Sequence, residues 1–598
     1  MPPESAVNTL FESAVALHKA GDAKAAADHY RKVLAQNPDH VEALYLSGAL
    51  AFQQNDPRTA LSSLDRALQL HPGHGPAREA LRTVAAAFFN ARGYGEASTG
   101  FRRLAIVAPG DTESLYYLAV SLRLQGELNE AANVYEKLIA LQPDHARALD
   151  EYGGVLFDLR RIPEADAIIR RAIAAAPDLA NPYTNLGRLY QSDPLRASEA
   201  LKLHDQALAR NPSYADAHNN RGAALHTLSR FEEAVTSFHQ ALVLKPAMSE
   251  AFNNLGTSLL KLGDVAGAIA NYRQAVAMVP GYPEAHWNLA LALLSVADYG
   301  DAWPAFEWRW QCRDFHSPRR PFVQRVWDGG HLGQGSLLVW GEQGVGDEIL
   351  YGSMVGELVA RGMPVLWEAD ARLLPLIQRS YPGLATVART TPPDPATAAA
   401  GAHISTASLG QYLRPSTESF PKGRKSFLVA DSAKAQAYRA KLLGGSKTRL
   451  IGLSWVSKNQ ELGIHKTTAL TALAPFWQAV GPETRFVDLQ YGDTATERAA
   501  SGLDLAHLAE LDLFNDLDGL AALISACDLV ITVSNTTAHL AGALGVPVWV
   551  MVPAGNGKLW YWGETGSSWY PSAHVFRQNT PGAWDTLIAD IAKKLAKP

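Results

Sequence analysis

The stretch "SEAFNNLGTSLLKLGDVAGAIANYRQAVAMVP", residues 249–280, carries two helical patterns in succession. Phe252, Leu255, Gly256 and Leu259 share a face of the first, and Ala268, Tyr272 and Ala275 share a face of the second, the spacing of an apolar stripe on an α-helix. A proline closes the stretch, and prolines stand at Pro38, Pro72, Pro109, Pro143, Pro177, Pro212, Pro246 and Pro280. The interval is 34 residues, apart from one of 37 and one of 35. One unit earlier, Gly222, Leu225, Ala234, Phe238 and Ala241 occupy the same places. Small residues let the two helices approach, and the aromatic ring fills the gap to the next pair. Such a pair buries its apolar face only by stacking on its neighbours, so the series predicts a solenoid.

That period is the one of tetratricopeptide (TPR) hairpins. A ninth unit, from about Pro283 to Cys312, lacks the closing proline and ends in "WPAFEWRW". Two residues before the glycine or alanine of the first helix stand Asn185, Asn220, Asn254 and Asn288. That position should face the concave groove, where an amide offers both a donor and an acceptor to an extended peptide backbone. The alternative is that these asparagines only bond between neighbouring helices. Earlier units carry Tyr117 and Glu151 there, so a ladder would span only the C-terminal part of the array.

Working outward, "SPRRPFVQRVWDGG" breaks the period, and strands begin to alternate with helices. "SLLVWGE" (336–342), "PVLWEAD" (364–370) and "AHISTASLGQYL" form one series. After a charged connector, "RLIGLSW" (449–455), "TRFVDLQY" (484–491), "DLVITVS" (528–534) and "VPVWVMVP" (546–553) form a second. Alternation of this kind implies parallel sheets, with ligands at the carboxyl ends of the strands. The expected divisions are 1–315 for the solenoid, 316–445 for the first α/β domain and 446–598 for the second.

Composition narrows the function. With 54 basic and 59 acidic residues the net charge is −5, and no Lys/Arg-rich stripe offers a nucleic-acid footprint. No signal-like h-region follows the start, and no apolar run is long enough to span a bilayer. Cys312 and Cys527 are too few for a disulfide framework or a thiolate metal site. The expectation is a cytoplasmic protein without a metal. "NDLDGL" (515–520) contains an Asp-x-Asp, which the apolar helical run behind it explains as capping. "GVGDE" lacks the third glycine of a dinucleotide fingerprint.

Ser534-Asn535-Thr536-Thr537 sit where the strand "DLVITVS" empties into the helix "AHLAGALG". One of them suffices to cap that helix. Four together, at a strand's carboxyl end and a helix's positive pole, predict a phosphate site. His539, one turn on, is either a ligand contact or a packed core histidine. Trp560, Tyr561, Trp562, Trp569 and Tyr570 read mainly as packing between domains, with one ring available to stack on a base or sugar. Gly555 and Gly557 suggest a mobile loop nearby.

The 528–553 segment, "GEQGVGDEILYG" (341–352), "WYWGETGSSWYPSAHVFRQ" (560–578) and "WPAFEWRW" together resemble bacterial TPR-linked glycosyltransferases, over nearly the whole chain. These are distantly similar to lipopolysaccharide heptosyltransferases, and the asparagine series is similar to that of O-GlcNAc transferase. The resemblance implies a GT-B module, two Rossmann-like domains facing a cleft, behind a TPR solenoid. It is most like flagellin glycosyltransferases that transfer nonulosonates such as pseudaminic acid. That implies a nucleotide-sugar co-substrate, CMP-linked, and a protein acceptor, flagellin, modified on Ser or Thr.

By the same resemblance, Asp347 with adjacent Glu348 supplies the base. Lys466, with Lys458 as its competitor, binds the donor phosphate, and His465 contacts donor or acts as a base. Ser534, Asn535, Thr536, Thr537 and His539 complete the donor site. Helix capping is the rival role for Asp347, and an ordinary surface lysine is the rival reading for Lys466. The heptosyltransferase Asp-Thr pair reads Ser534-Asn535 here, which argues against an ADP-linked donor. Two other readings are a TPR scaffold with a degenerate transferase half, and a transferase acting on lipopolysaccharide.

Overall fold

The structure is a computed structural model that describes residues 4–445, 448–458, 463–554, 559–580 and 582–597. The side chain of His465 lies outside the described ones, as do Gly555 and Gly557. The chain divides into two compact units, Met1–Pro246 and Ala247–Pro598.

In the first unit, fourteen α-helices among the described residues pair into seven hairpins, from Glu4–Lys19 with Ala23–Gln36 to Ala215–Thr227 with Phe231–Leu244. The expected close approach of paired helices is present. A β-carbon on Gly222 would lie 2.6 Å from the Phe238 ring, so only glycine lets that ring seat against the first helix. The prolines mark the turns after the second helices, which cannot continue through them. The turn inside most hairpins carries a left-handed residue, Gly126 at φ 84° in one repeat but Arg160 at 62° and Ser229 at 59° in others.

The second unit opens with two more hairpins, Ser249–Lys261 with Val265–Met278 and Pro283–Ser295 with Tyr299–Phe306. A 3-10 turn at Glu307–Gln311 follows. A five-stranded parallel sheet comes next, built from β1 (Arg325–Val326), β2 (Leu337–Trp340), β3 (Val365–Ala369), β4 (Ala385–Ala388) and β5 (Ala402–Ser405) in the order β1-β5-β2-β3-β4. A six-stranded parallel sheet ends the chain: β6 (Arg449–Ser454), β7 (Thr484–Asp488), β8 (Leu505–Ala506), β9 (Leu529–Val533), β10 (Val548–Val552) and β11 (Ala573–Arg577), ordered β11-β10-β9-β6-β7-β8. Every recorded pairing is parallel. The fold is therefore a TPR helix-hairpin solenoid followed by two parallel α/β sheets, an arrangement consistent with a GT-B-like pair of Rossmann domains.

β2 and β9 are buried at every position, as expected of strands covered on both faces. One apolar core runs from Leu289–Leu294 of the last hairpin through Leu337 and Val339 of the first sheet to Val530 and Val548 of the second. "WPAFEWRW" supplies the polar fastening at this junction. Arg309 is fully buried and donates from Nε and Nη2 to the two oxygens of buried Glu342, at 3.1 and 2.9 Å. Its Nη2 also donates to Ser405 and Ser408 at 3.1 and 2.8 Å. The segment after the last hairpin is thus pinned to the carboxyl ends of β2 and β5. Trp303 packs on Gly410, where no β-carbon would fit, and donates to the Arg414 carbonyl at 2.7 Å.

The aromatic cluster near the C-terminus also packs at this junction. Trp560 lies 5.9 Å from Trp303, while Trp569 lies 5.2 Å from Phe420 and 6.0 Å from Tyr351. Trp560, Trp562, Trp569 and Tyr570 are buried and Tyr561 is half-buried.

Candidate functional site

The carboxyl ends of β2 and β9 each lead directly into a helix, Val345–Gly352 and Thr536–Leu544, and the two helices pack together. Gly346 makes this possible: a β-carbon there would meet the His539 ring at 3.1 Å. Between the sheets and the last hairpins lies a cavity of about 1130 Å³. Gly344–Asp347 line it from the first sheet, Lys458, Lys466 and Ser534–Thr536 from the second, and Asn253, Trp287 and Asn288 from the hairpins.

Asp347 serves two functions. Its Oδ2 accepts the Gly344 N–H at 3.3 Å, the capping contact weighed from the sequence, and its side chain also lines the cavity. Burial pushes its carboxyl up to about 6, against the Gly344 bond and the charge of Lys466, which both pull it down. Lys466 is buried at 6 % exposure. Burial lowers its ammonium below the usual lysine range, and Asp347 opposes that. A carboxylate from one sheet and an ammonium from the other thus act on each other across a single cavity. Lys458 lines it too, exposed, 5.9 Å over the Tyr491 ring.

Glu348 points elsewhere. Fully buried, it accepts the Asp370 N–H at 2.9 Å and pairs with Arg389. Burial raises its carboxyl to about 7 in spite of Arg389. It is not among the residues lining the cavity.

The hydroxyl-rich corner separates into four tasks. Asn535 caps its helix by accepting the Ala538 N–H at 3.3 Å, accepts the Thr532 hydroxyl at 3.1 Å, and donates to Ser454 Oγ and the Val456 carbonyl at 2.8 and 3.2 Å. That amide has no capacity left, and it knots the ends of β6 and β9 together. Ser534 Oγ accepts the Trp562 indole N–H at 2.8 Å. Thr537 is enclosed. Thr536 is half-buried and its side chain lines the cavity. With Asn535 holding Ala538, the amides of Thr536 and Thr537 are first-turn donors without an intrahelical acceptor, at the positive end of the helix dipole. His539 bonds through Nδ1 to the Tyr570 hydroxyl at 2.9 Å. Burial, reinforced by Lys466, depresses its pKa to about 3, so the imidazole is neutral at physiological pH.

Two of the four asparagine positions bond between repeats, while the side-chain oxygen of Asn220 accepts from Asn219 on its own helix at 3.5 Å. Asn185 donates to Asp150 at 2.8 Å and Asn288 to Asn253 at 2.9 Å, each one repeat back. Asn220 and Asn254 are half-buried. In the second unit, Asn288 and Asn253, rather than Asn254, line the cavity.

Reading the sequence missed Arg320, Arg372, Arg389, Thr390 and Thr391, which line the first-sheet wall of the cavity. Arg389 and the threonines follow β4, a four-residue strand (ATVA) without a buried position, so no apolar run announced a strand end there.

Comparison with known proteins agrees with the repeats. Profiles of the tetratricopeptide repeat match residues 11–75, 188–249 and 112–145, and a profile described as TPR repeat matches 256–295. The chain is 29% identical over 512 residues to Protein FlbA of Caulobacter vibrioides, covering 80% of this chain and 83% of that one. Among solved structures, the APC/C hetero-tetramer Cut9–Hcn1 overlaps 48% of this chain and 55% of its own at 18% identity and TM-score 0.35. A tetratricopeptide repeat protein from Parabacteroides merdae overlaps 42% of this chain and 98% of its own at 15% identity and TM-score 0.35. The chain is a TPR-repeat protein carrying a parallel α/β module and is distantly similar to Protein FlbA. Among the described residues no helix is long and apolar enough to cross a membrane.

Proposed function

We propose that the chain is a protein O-glycosyltransferase, moving a nonulosonate such as pseudaminic acid from a CMP-linked donor to Ser or Thr of a captured protein, flagellin. Residues 1–315 would bind the acceptor, 316–445 would carry the base, and 446–598 would hold the donor. The observation that supports this most is that Asp347 and Lys466, which follow strands of two different sheets, line one cavity and act on each other's charge.

Transfer to a hydroxyl needs a base on the acceptor and positive charge on the leaving phosphate. Asp347 takes the hydroxyl proton as the acceptor oxygen bonds to the anomeric carbon. The carbon–oxygen bond to the nucleotide phosphate breaks, and its electron pair stays on that phosphate. Lys466, the Thr536 hydroxyl and the Thr536 and Thr537 amides receive the charge. Neutral His539 packs beside them and adds none. A carboxyl held near 6 is still a carboxylate at neutral pH and a stronger base than an ordinary aspartate.

The test is intact-mass measurement of flagellin incubated with the full chain and a CMP-nonulosonate. The expected result is a sugar-sized increment, reduced about a hundredfold or more in rate by Asp347→Asn with the melting temperature retained. Wild-type rates in that variant would refute the assignment, and flagellin that binds but never gains mass would point to a scaffold.

A further inference from the structure

Three arginines that line the cavity, Arg320, Arg372 and Arg389, and Arg309 of the turn after the last hairpin rest on buried or half-buried carboxylates. Arg309, Arg320 and Arg372 each present the Nε–Nη2 edge of the guanidinium to an acid. Arg309 meets Glu342, Arg320 meets Glu368 at 3.0 Å from Nε, and Arg372 meets Asp370 at 2.9 and 2.8 Å. That edge holds two parallel N–H donors and fits the two oxygens of a carboxylate.

Arg389 is arranged differently. It is anchored through Nη1, which donates to the Gly341 carbonyl at 2.9 Å and pairs with Glu348. Among the described residues nothing takes its Nε or Nη2, and neither atom is sealed from solvent. Its side chain is a quarter exposed and lines the cavity beside Thr390 and Thr391, on the wall that also carries Asp347. The edge that Arg309, Arg320 and Arg372 spend on internal acids is left open, on a wall of the cavity.

We infer that Arg389 binds a carboxylate carried by a substrate, fork to fork, with Glu348 behind it as the positioning residue. A phosphate has a better place on the opposite wall, at Lys466 and the Thr536 helix. A planar two-oxygen anion suits a single open guanidinium edge. The inference rests on the glycosyltransferase reading and specifies its substrate class as acidic. The carboxylate belongs either to the transferred sugar or to an Asp or Glu beside the acceptor hydroxyl.

Two variants separate this from a structural role. Arg389→Lys keeps the charge and loses the fork. The double variant Arg389→Gln with Glu348→Gln removes both charges, so no buried carboxylate is left unpaired. With the full chain, KM is measured for CMP-N-acetylneuraminate and its C1-alcohol analogue, and for flagellin with acidic residues near the acceptor site or with Asn and Gln in their place. Both variants should raise one KM about tenfold or more, with kcat changed less, and the carboxylate-free form of that same substrate should be indifferent to Arg389. A shift confined to the donor names the sugar as the source; one confined to flagellin names the acceptor.

Unchanged KM values for both substrates, with only a lower melting temperature, would overturn the inference. A second measurement does not need turnover: with the sugar as the source, free N-acetylneuraminate should raise the melting temperature of the wild type and not of Arg389→Lys, and with the acceptor as the source the flagellin with its acidic residues should do so in its place. If that difference is seen while no transfer occurs, the subsite stands and the transferase reading fails. If transfer occurs with both KM values indifferent to Arg389, the reverse holds.

Discussion

Asn535 and Thr536 are neighbours with opposite consequences. Asn535 spends its amide on Ala538, Thr532, Ser454 and Val456, so Asn535→Ala removes a cap and leaves buried partners unmatched. The expected loss is about 2–4 kcal/mol of stability, read by denaturant unfolding. Thr536 makes no such knot and opens to the cavity. Thr536→Ala should leave stability within about 0.5 kcal/mol and raise the KM for the nucleotide donor several-fold. Equal destabilisation by the two would contradict the division of labour. The run of four polar residues was visible in the sequence, but its partition was not. Which hydroxyl meets Trp562 and which meets the cavity depends on side chains as far as 28 and 81 residues away.

At the level of elements, the buried Arg309–Glu342 pair holds the end of the hairpins to the ends of β2 and β5. Arg309→Ala would leave Glu342 charged and alone in the core, costing about 3–5 kcal/mol in thermal or denaturant unfolding. The left-handed hairpin turn at Ala297, φ 61°, carries a β-carbon where glycine is unstrained. Ala297→Gly should therefore stabilise the second unit by about 0.5–1 kcal/mol, visible as a rise in melting temperature. The long elements were legible because each carries a short cluster of apolar residues bounded by turn residues: β2, β3, β6, β7, β9 and β10 fall inside the stretches that read as strands. β1 and β8 have two residues each, too few for any period. β11, "AHVFR", has a single buried position among half-exposed ones and no clean alternation, so nothing in its pattern separates it from a loop. The helix pairs were legible for the opposite reason, since a fault in one unit is corrected by the next.

For the whole molecule, the repeats and the paired sheets followed from period and alternation, whereas the cavity did not. Asp347 and Lys466 lie 119 positions apart in the sequence, and only the packing of two sheets makes them neighbours. Resemblance nominated both residues; it carried no information that each shifts the other's proton affinity. Arg389 was missed because its value lies in an unused edge, which no residue type reveals.

The account centres on that coupling across the cavity, and the pH dependence of kcat/KM tests it most directly. In the wild type the carboxylate form of Asp347 is the active one, so the rate should rise through about pH 6 and plateau above it. Lys466 stabilises that carboxylate, so Lys466→Gln should move the inflection to higher pH as well as lower the plateau. A profile that is flat through pH 6, or an inflection that Lys466→Gln leaves in place, would contradict it.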